Sequence, residues 1–126
     1  NNPTKLNTIK IFIILGKNVI GNKLGVLIPP NTFEKGLMIM HHGSIIVNPN
    51  ARIGKYCILY GNNCIGNNDK INLTVIGDNL YLGFGAKIIG KVTLGSDVTV
   101  GANALVNKSF GSNCILVGLP AKQIEN

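Results

Sequence analysis

Aliphatic residues return every six positions through the C-terminal half of the chain, at Ile76, Leu82, Ile88, Leu94, Val100 and Val106. Four residues after each stand Leu80, Ala86, Val92, Val98, Ala104 and Phe110, again apolar and mostly small. Gly77, Gly83, Gly95 and Gly101 directly follow four of the leading positions. A helix repeats near 3.6 residues and a half-buried strand near two, so neither accounts for a period of six.

A parallel β-helix of hexapeptides does account for it. Each hexapeptide makes one short strand and one corner of a triangular coil, three of them complete a turn, and successive coils stack at about 4.8 Å. The leading aliphatic residue points into the prism, and the small fifth residue sits where the section narrows. The glycine beside the corner is expected to supply unusual backbone angles. The predicted class is therefore all-β, a solenoid stabilised by stacking.

Toward the N-terminus Val47, Ile53, Leu59 and Ile65 keep the period. Eleven positions separate Ile65 from Ile76, so about five residues within "NNDKINLTV" are predicted to loop out of the coil. Ile39 and Val47 stand eight apart, which places a two-residue insertion at His41 and His42, the two histidines of the chain. Ile28 and Phe33 suggest a first coil one residue short. Residues 1–25 leave the period and are read as a terminal segment, a short helical cap over the open end of the solenoid, although the β-branched run "IFIIL" also suits a strand. The repeat is assigned to 26–111 and a C-terminal tail to 112–126, the whole acting as one domain.

Composition narrows the picture. The core must be built from Ile, Leu and Val, because there is no Trp and only four Phe and three Tyr. A net charge of +7 suits a polyanionic partner such as a phosphorylated cofactor. Few aromatics and no recognised reader motif argue against nucleic acid. Cys57, Cys64 and Cys114 lack the spacing of a zinc site or a disulfide framework, which points to a reduced, cytoplasmic compartment. The apolar run at 11–15 is far below the roughly 20 residues that span a bilayer, and no cleavage-site pattern follows it, so neither membrane contact nor a signal peptide is expected. The chain begins at Asn1 without Met, as a fragment or processed chain does.

The stretches "GLMIMHHGSIIVNPNARIG" (36–54), "IGDNLYLGFGAKIIGKVTLG" (76–95), "VGANALVNK" (100–108) and "VGLPAK" (117–122) together resemble the hexapeptide-repeat acyltransferases. The branch most similar is the serine O-acetyltransferase-like one with its capsular polysaccharide relatives. The resemblance implies a left-handed coil, a homotrimer, and acetyl transfer from acetyl-CoA as co-substrate to a hydroxyl of a sugar or of L-serine. It places His41 after the lead-in Gly36, Leu37, Ile39 as general base. Imidazole suits that role because its ordinary pKa, about 6.5, leaves it largely neutral and able to accept a proton. His42, Gly43 and Asn48 fall at the acceptor pocket. Gly83, Phe84, Ala102 and Asn107 fall along the pantetheine groove, with Lys108 and Lys122 near the nucleotide phosphates, where ammonium groups are suitable partners. Serine acetyltransferases carry Asp at the positions of Leu27 and Met40 and a second histidine at that of Leu73, so the base here is expected to lean on a backbone carbonyl, and a sugar acceptor gains weight.

Without the resemblance, each residue has a plainer reading. His41 and His42 are polar residues at a turn, the lysines are solvated charges, the glycines are corner residues and Cys57 fills the core. Adjacent side chains on an extended chain point to opposite sides, so the two histidines do not converge on one metal, and no metal site is expected. The alternative function is a non-catalytic β-helical scaffold or binding module.

Overall fold

The computed structural model describes residues 19–20, 22–23, 25–41, 43–67 and 69–125. The strands, in chain order, are β1 (Val26–Leu27), β2 (Met38–Ile39), β3 (Ile45–Val47), β4 (Arg52–Ile53), β5 (Ile58–Leu59), β6 (Asn63–Gly66) and β7 (Val75–Ile76). They continue as β8 (Tyr81–Leu82), β9 (Lys87–Ile89), β10 (Thr93–Leu94), β11 (Val98–Val100), β12 (Leu105–Val106), β13 (Cys114–Gly118) and β14 (Ala121–Ile124). From β2 to β12 every third strand joins the same sheet. The first sheet runs β1-β3-β6-β9-β12, the second β10-β7-β4, and the third β14-β13-β11-β8-β5-β2. All pairings are parallel except β13 with β14. These three parallel faces are the arrangement of the left-handed β-helix of hexapeptide repeats.

The periodic residues form the interior. Val47, Ile65, Ile88 and Val106 stack on the first face, Ile53, Ile76 and Leu94 on the second, and Leu59, Leu82, Val100 and Leu116 on the third, all buried. The fifth-position residues Cys57, Leu80, Ala86, Val92, Val98 and Ala104 are buried with them. At about 1.5–3 kcal/mol for each large aliphatic side chain removed from water, this column is the main source of stability.

The glycines act differently from the expectation. The left-handed backbone falls three residues after the inward aliphatic, at Tyr56, Asn62, Asn79, Gly85, Asp97, Asn103 and Asn113, with φ between 53° and 75°. Asn, Asp and Gly tolerate that region best. Gly77, Gly83, Gly95 and Gly101 instead have ordinary φ and leave room for the next coil. A methyl group at Gly77 would lie 2.8 Å from the Gly95 carbonyl carbon, and one at Gly83 would lie 2.7 Å from the Ala102 amide nitrogen.

The solenoid also runs past the expected end at Gly111. Phe110 pairs with Leu94, and Cys114–Leu116 pair with Val98–Val100. The corner between Val106 and Phe110 is two residues shorter than the others, so Phe110 takes a leading position, not the fifth, and the period of six loses the last coil. The tail then doubles back as the β13–β14 hairpin through a cis Leu119–Pro120 bond. Most of the expected N-terminal cap lies outside the described residues; Val19, Ile20, Asn22 and Lys23 within it have helical backbone. Among the described residues no helix is long and apolar enough to cross a membrane.

The predicted loop is present between β6 and β7. Asn67 accepts from the Asp69 amide and donates to the Asn72 carbonyl, while Asp69 accepts from the Ile71 amide and from the Asn72 side chain. Buried Thr74 closes it with a 2.9 Å bond to the Gly90 carbonyl. Those bonds hold the Asp69 carboxyl below its ordinary range, the Ile71 amide first and the Asn72 side chain next.

Candidate functional site

His41 lies where the chain passes from β2 on the third face to β3 on the first. Met38 and Ile39 pair with Ile58 and Leu59, whereas Ile45–Val47 pair with Asn63–Ile65, so this corner carries two residues more than the corner stacked on it. The surplus pushes His41 outward, and its side chain is exposed. Its ring lies 6.0 Å from the Tyr60 ring, tilted by 55°, and the Tyr60 ring lies 4.6 Å from that of Tyr81. Three aromatic rings thus climb three successive coils. The hydroxyl interaction with Tyr60 first, and desolvation next, hold the Tyr81 phenol above its ordinary range.

Beneath the corner sits buried Asn63, where the repeat elsewhere has a small apolar residue. Its Oδ1 accepts from the Gly61 amide at 2.9 Å, and its Nδ2 donates to the Gly83 and Ala86 carbonyls at 2.9 and 3.0 Å. Gly61 is needed because a methyl there would lie 3.2 Å from both the His41 carbonyl oxygen and the Phe84 ring. Gly43 brings the bulge against the Asn62 amide, 3.0 Å from where its Cβ would stand. No described residue hydrogen-bonds the His41 ring. Met40, Leu27 and Leu73 are all exposed and apolar.

The expected site residues separate into two groups. His41, Gly43, Gly83, Phe84 and Ala102 lie at one corner of successive coils, with Phe84 exposed and Gly83 buried. Lys122, on β14, pairs with Val117 at the far edge of the same face. Asn48, Asn107 and Lys108 lie at the other end of the first-face strands. Asn48 is engaged structurally there, its Oδ1 accepting from the Asn50 amide and its Nδ2 donating to the Asn67 carbonyl. Lys108 rests over the Phe110 ring at 5.5 Å. His42, expected at the acceptor pocket, lies outside the described residues. A separate surface cavity of about 390 Å³ on the second face, lined by Glu34, Arg52 and Asp78 among others, holds none of the expected residues. Among the described residues no cluster of His, Cys, Asp and Glu could hold a metal ion.

Sequence reasoning missed Tyr60, Tyr81 and Asn63. Asn63 was visible as a polar residue at a fifth position, a column otherwise mostly apolar from Cys57 to Ala104. Tyr60 directly follows an inward leucine, where later coils have Gly83 and Gly101, and only the stacking shows that it meets His41.

Fold and corner define a class, the hexapeptide-repeat β-helices. The sequence profile of the bacterial transferase hexapeptide (six repeats) family matches residues 73–108. The chain is 30% identical over 104 residues to the serine acetyltransferase of Synechococcus elongatus, across 79% of this chain and 43% of that protein. The crystal structure of Neisseria gonorrhoeae serine acetyltransferase in complex with serine matches with a TM-score of 0.76 at 25% identity, covering 94% of this chain and 50% of that one. A serine acetyltransferase in complex with CoA matches with a TM-score of 0.66 at 23% identity, over 74% of this chain and 40% of its own, a likeness of fold. The chain belongs to the serine acetyltransferase-like family of hexapeptide-repeat proteins. It spans about half the length, or less, of these relatives.

Proposed function

We propose that this chain is an acetyl-CoA-dependent O-acetyltransferase with His41 as general base and a hydroxyl of a sugar or of L-serine as acceptor. The observation that carries the reading is the two-residue bulge that presents an exposed His41 on a corner locked beneath by Asn63. The serine acetyltransferases solved with serine and with CoA support the two substrates.

In this reading His41 accepts the proton of the acceptor hydroxyl as its oxygen attacks the thioester carbonyl. The tetrahedral adduct collapses with cleavage of the carbon–sulfur bond, and the imidazolium returns its proton to the departing thiolate. Ala102, small and exposed, leaves room at the corner above His41 for a thioester arm. Lys108 and Lys122 are exposed cations suited to phosphates. Because Asn107 and Lys108 lie on another corner from His41, a complete site draws them from a neighbouring copy, as in a homotrimer.

His41→Ala is expected to lower acceptor-dependent thiol release by at least about 100-fold while the unfolding midpoint stays unchanged. Full activity in that variant would end the assignment. The scaffold reading draws on the exposed apolar side chains of Leu27 and Met40, at positions where serine acetyltransferases carry Asp. It predicts no calorimetric binding of acetyl-CoA by the wild-type chain.

A further inference from the structure

We propose that Tyr60, with Tyr81 behind it, is the platform that binds the acceptor beside His41, and that this acceptor is a pyranose sugar and not a free amino acid. The inference deepens the acetyltransferase reading and rests on it.

The first observation is the placement of the rings. Tyr60 follows Leu59 on the third face, diagonal to Tyr81 on the next coil, and the two rings lie 4.6 Å apart at 37°. Tyr81 is 36% exposed and Tyr60 half-buried, so the pair offers a fixed, partly open aromatic surface. His41 stands 6.0 Å from the Tyr60 ring on the preceding coil. A molecule lying on Tyr60 therefore presents its edge to the imidazole.

The second observation is charge. Segments 38–41, 43–44, 58–63 and 81–86, which make this corner on three coils, contain no Asp, Glu, Lys or Arg, and the Lys87 ammonium, which reaches back to the Gly85 carbonyl at 2.8 Å, is a cation with no carboxylate in these segments beside it. A zwitterionic amino acid brings an ammonium and a carboxylate that need charged or multiple polar partners once desolvated. A pyranose brings neither. One face of its ring is a patch of C–H groups that suits an aromatic plane, and its hydroxyls lie around the edge, where a base can reach one of them.

The test uses the full chain, with methyl hexopyranosides and L-serine as probes in saturation-transfer NMR. Transfer is expected to the C–H groups of one sugar face, with little to L-serine. Tyr60→Ala should weaken sugar binding about tenfold or more, and Tyr60→Phe, which keeps the ring, by about threefold or less. Should Tyr60→Ala lose the wild-type circular dichroism, Tyr81→Ala carries the same test from the second ring. The proposal is overturned by binding of L-serine without the sugars, by no binding of either probe, or by an unchanged sugar affinity in folded Tyr60→Ala. A change of oligomeric state with unchanged sugar affinity also overturns it, because the rings would then belong to a contact between copies. Sugar binding through Tyr60 with no thiol release from acetyl-CoA upholds the platform and overturns the acetyltransferase reading alone.

Discussion

The Asn63 carboxamide donates to the Gly83 carbonyl across one coil boundary at 2.9 Å, and in doing so ties the His41 corner to the coil above. The same side chain satisfies the Gly61 amide and the Ala86 carbonyl, while the Gly83 carbonyl also accepts from the Ala86 amide at 3.0 Å. Asn63→Ala leaves all three without that partner. A loss of about 2–3 kcal/mol is expected in denaturant unfolding. The effect should be local in hydrogen exchange, strongest at the Gly61 amide; a variant as stable as wild type would show that water replaces the amide.

Two glycines of the second face separate stacking from conformation. A methyl at Gly95 would lie 2.5 Å from the Ser112 amide nitrogen, whereas one at Gly111 meets nothing within 4 Å. Neither residue has a positive φ. Gly95→Ala is therefore expected to cost about 1–3 kcal/mol. Gly111→Ala should leave stability equal or raise it by up to about 1 kcal/mol, because it only restricts the unfolded chain. Equal effects in thermal unfolding would contradict the stacking account.

Asp69 gives the loop a dependence on acid. Its carboxyl is held below the ordinary aspartate value of about 3.9 by the Ile71 amide and the Asn72 side chain, and a depressed value means that folding favours the ionised form. Its contribution is present in full above that ordinary value and is lost as pH falls through the lower folded value. The side-chain NMR titration should have its midpoint below about 3.9, with the Ile71 amide shift following the same curve. Asp69→Asn should abolish that curve and leave the β-helix intact.

The three thiols should differ in reactivity. Burial pushes the Cys57 thiol up to about 12 and raises that of Cys114, whereas Cys64 lies half-buried on the outer side of β6. A thiolate is the reactive form, so at pH 8 an alkylating reagent should modify Cys64 first. Cys57 should react only on unfolding. Mass spectrometry of the labelled protein reads the order directly.

Much of this molecule was legible without coordinates. The six-residue spacing from Ile76 to Val106 permits one solenoid, because only there do side chains six apart all turn inward, one on each face, and meet their equivalents 18 residues on in the next coil. The five-residue loop and the insertion at His41 followed as departures from that spacing. Where the spacing itself changed, the reading stopped: the short corner between Val106 and Phe110 hid the last coil and its strand β13. The glycines were recognised as structural for the wrong reason, since the backbone angles they were expected to supply belong to Asn62, Asn79, Asp97 and Asn103.

The sequence by itself determined the period, and with it which side chains face inward, because that depends only on position along the chain. The tertiary structure decided what lies beside His41. Residues 41, 60 and 81 share no local pattern and meet only because successive coils bring them within ring contact of one another. Only stacking likewise puts the Gly83 and Ala86 carbonyls within reach of Asn63. Contacts along the axis of a solenoid are set by coil length, and one inserted or missing residue at a corner shifts them all.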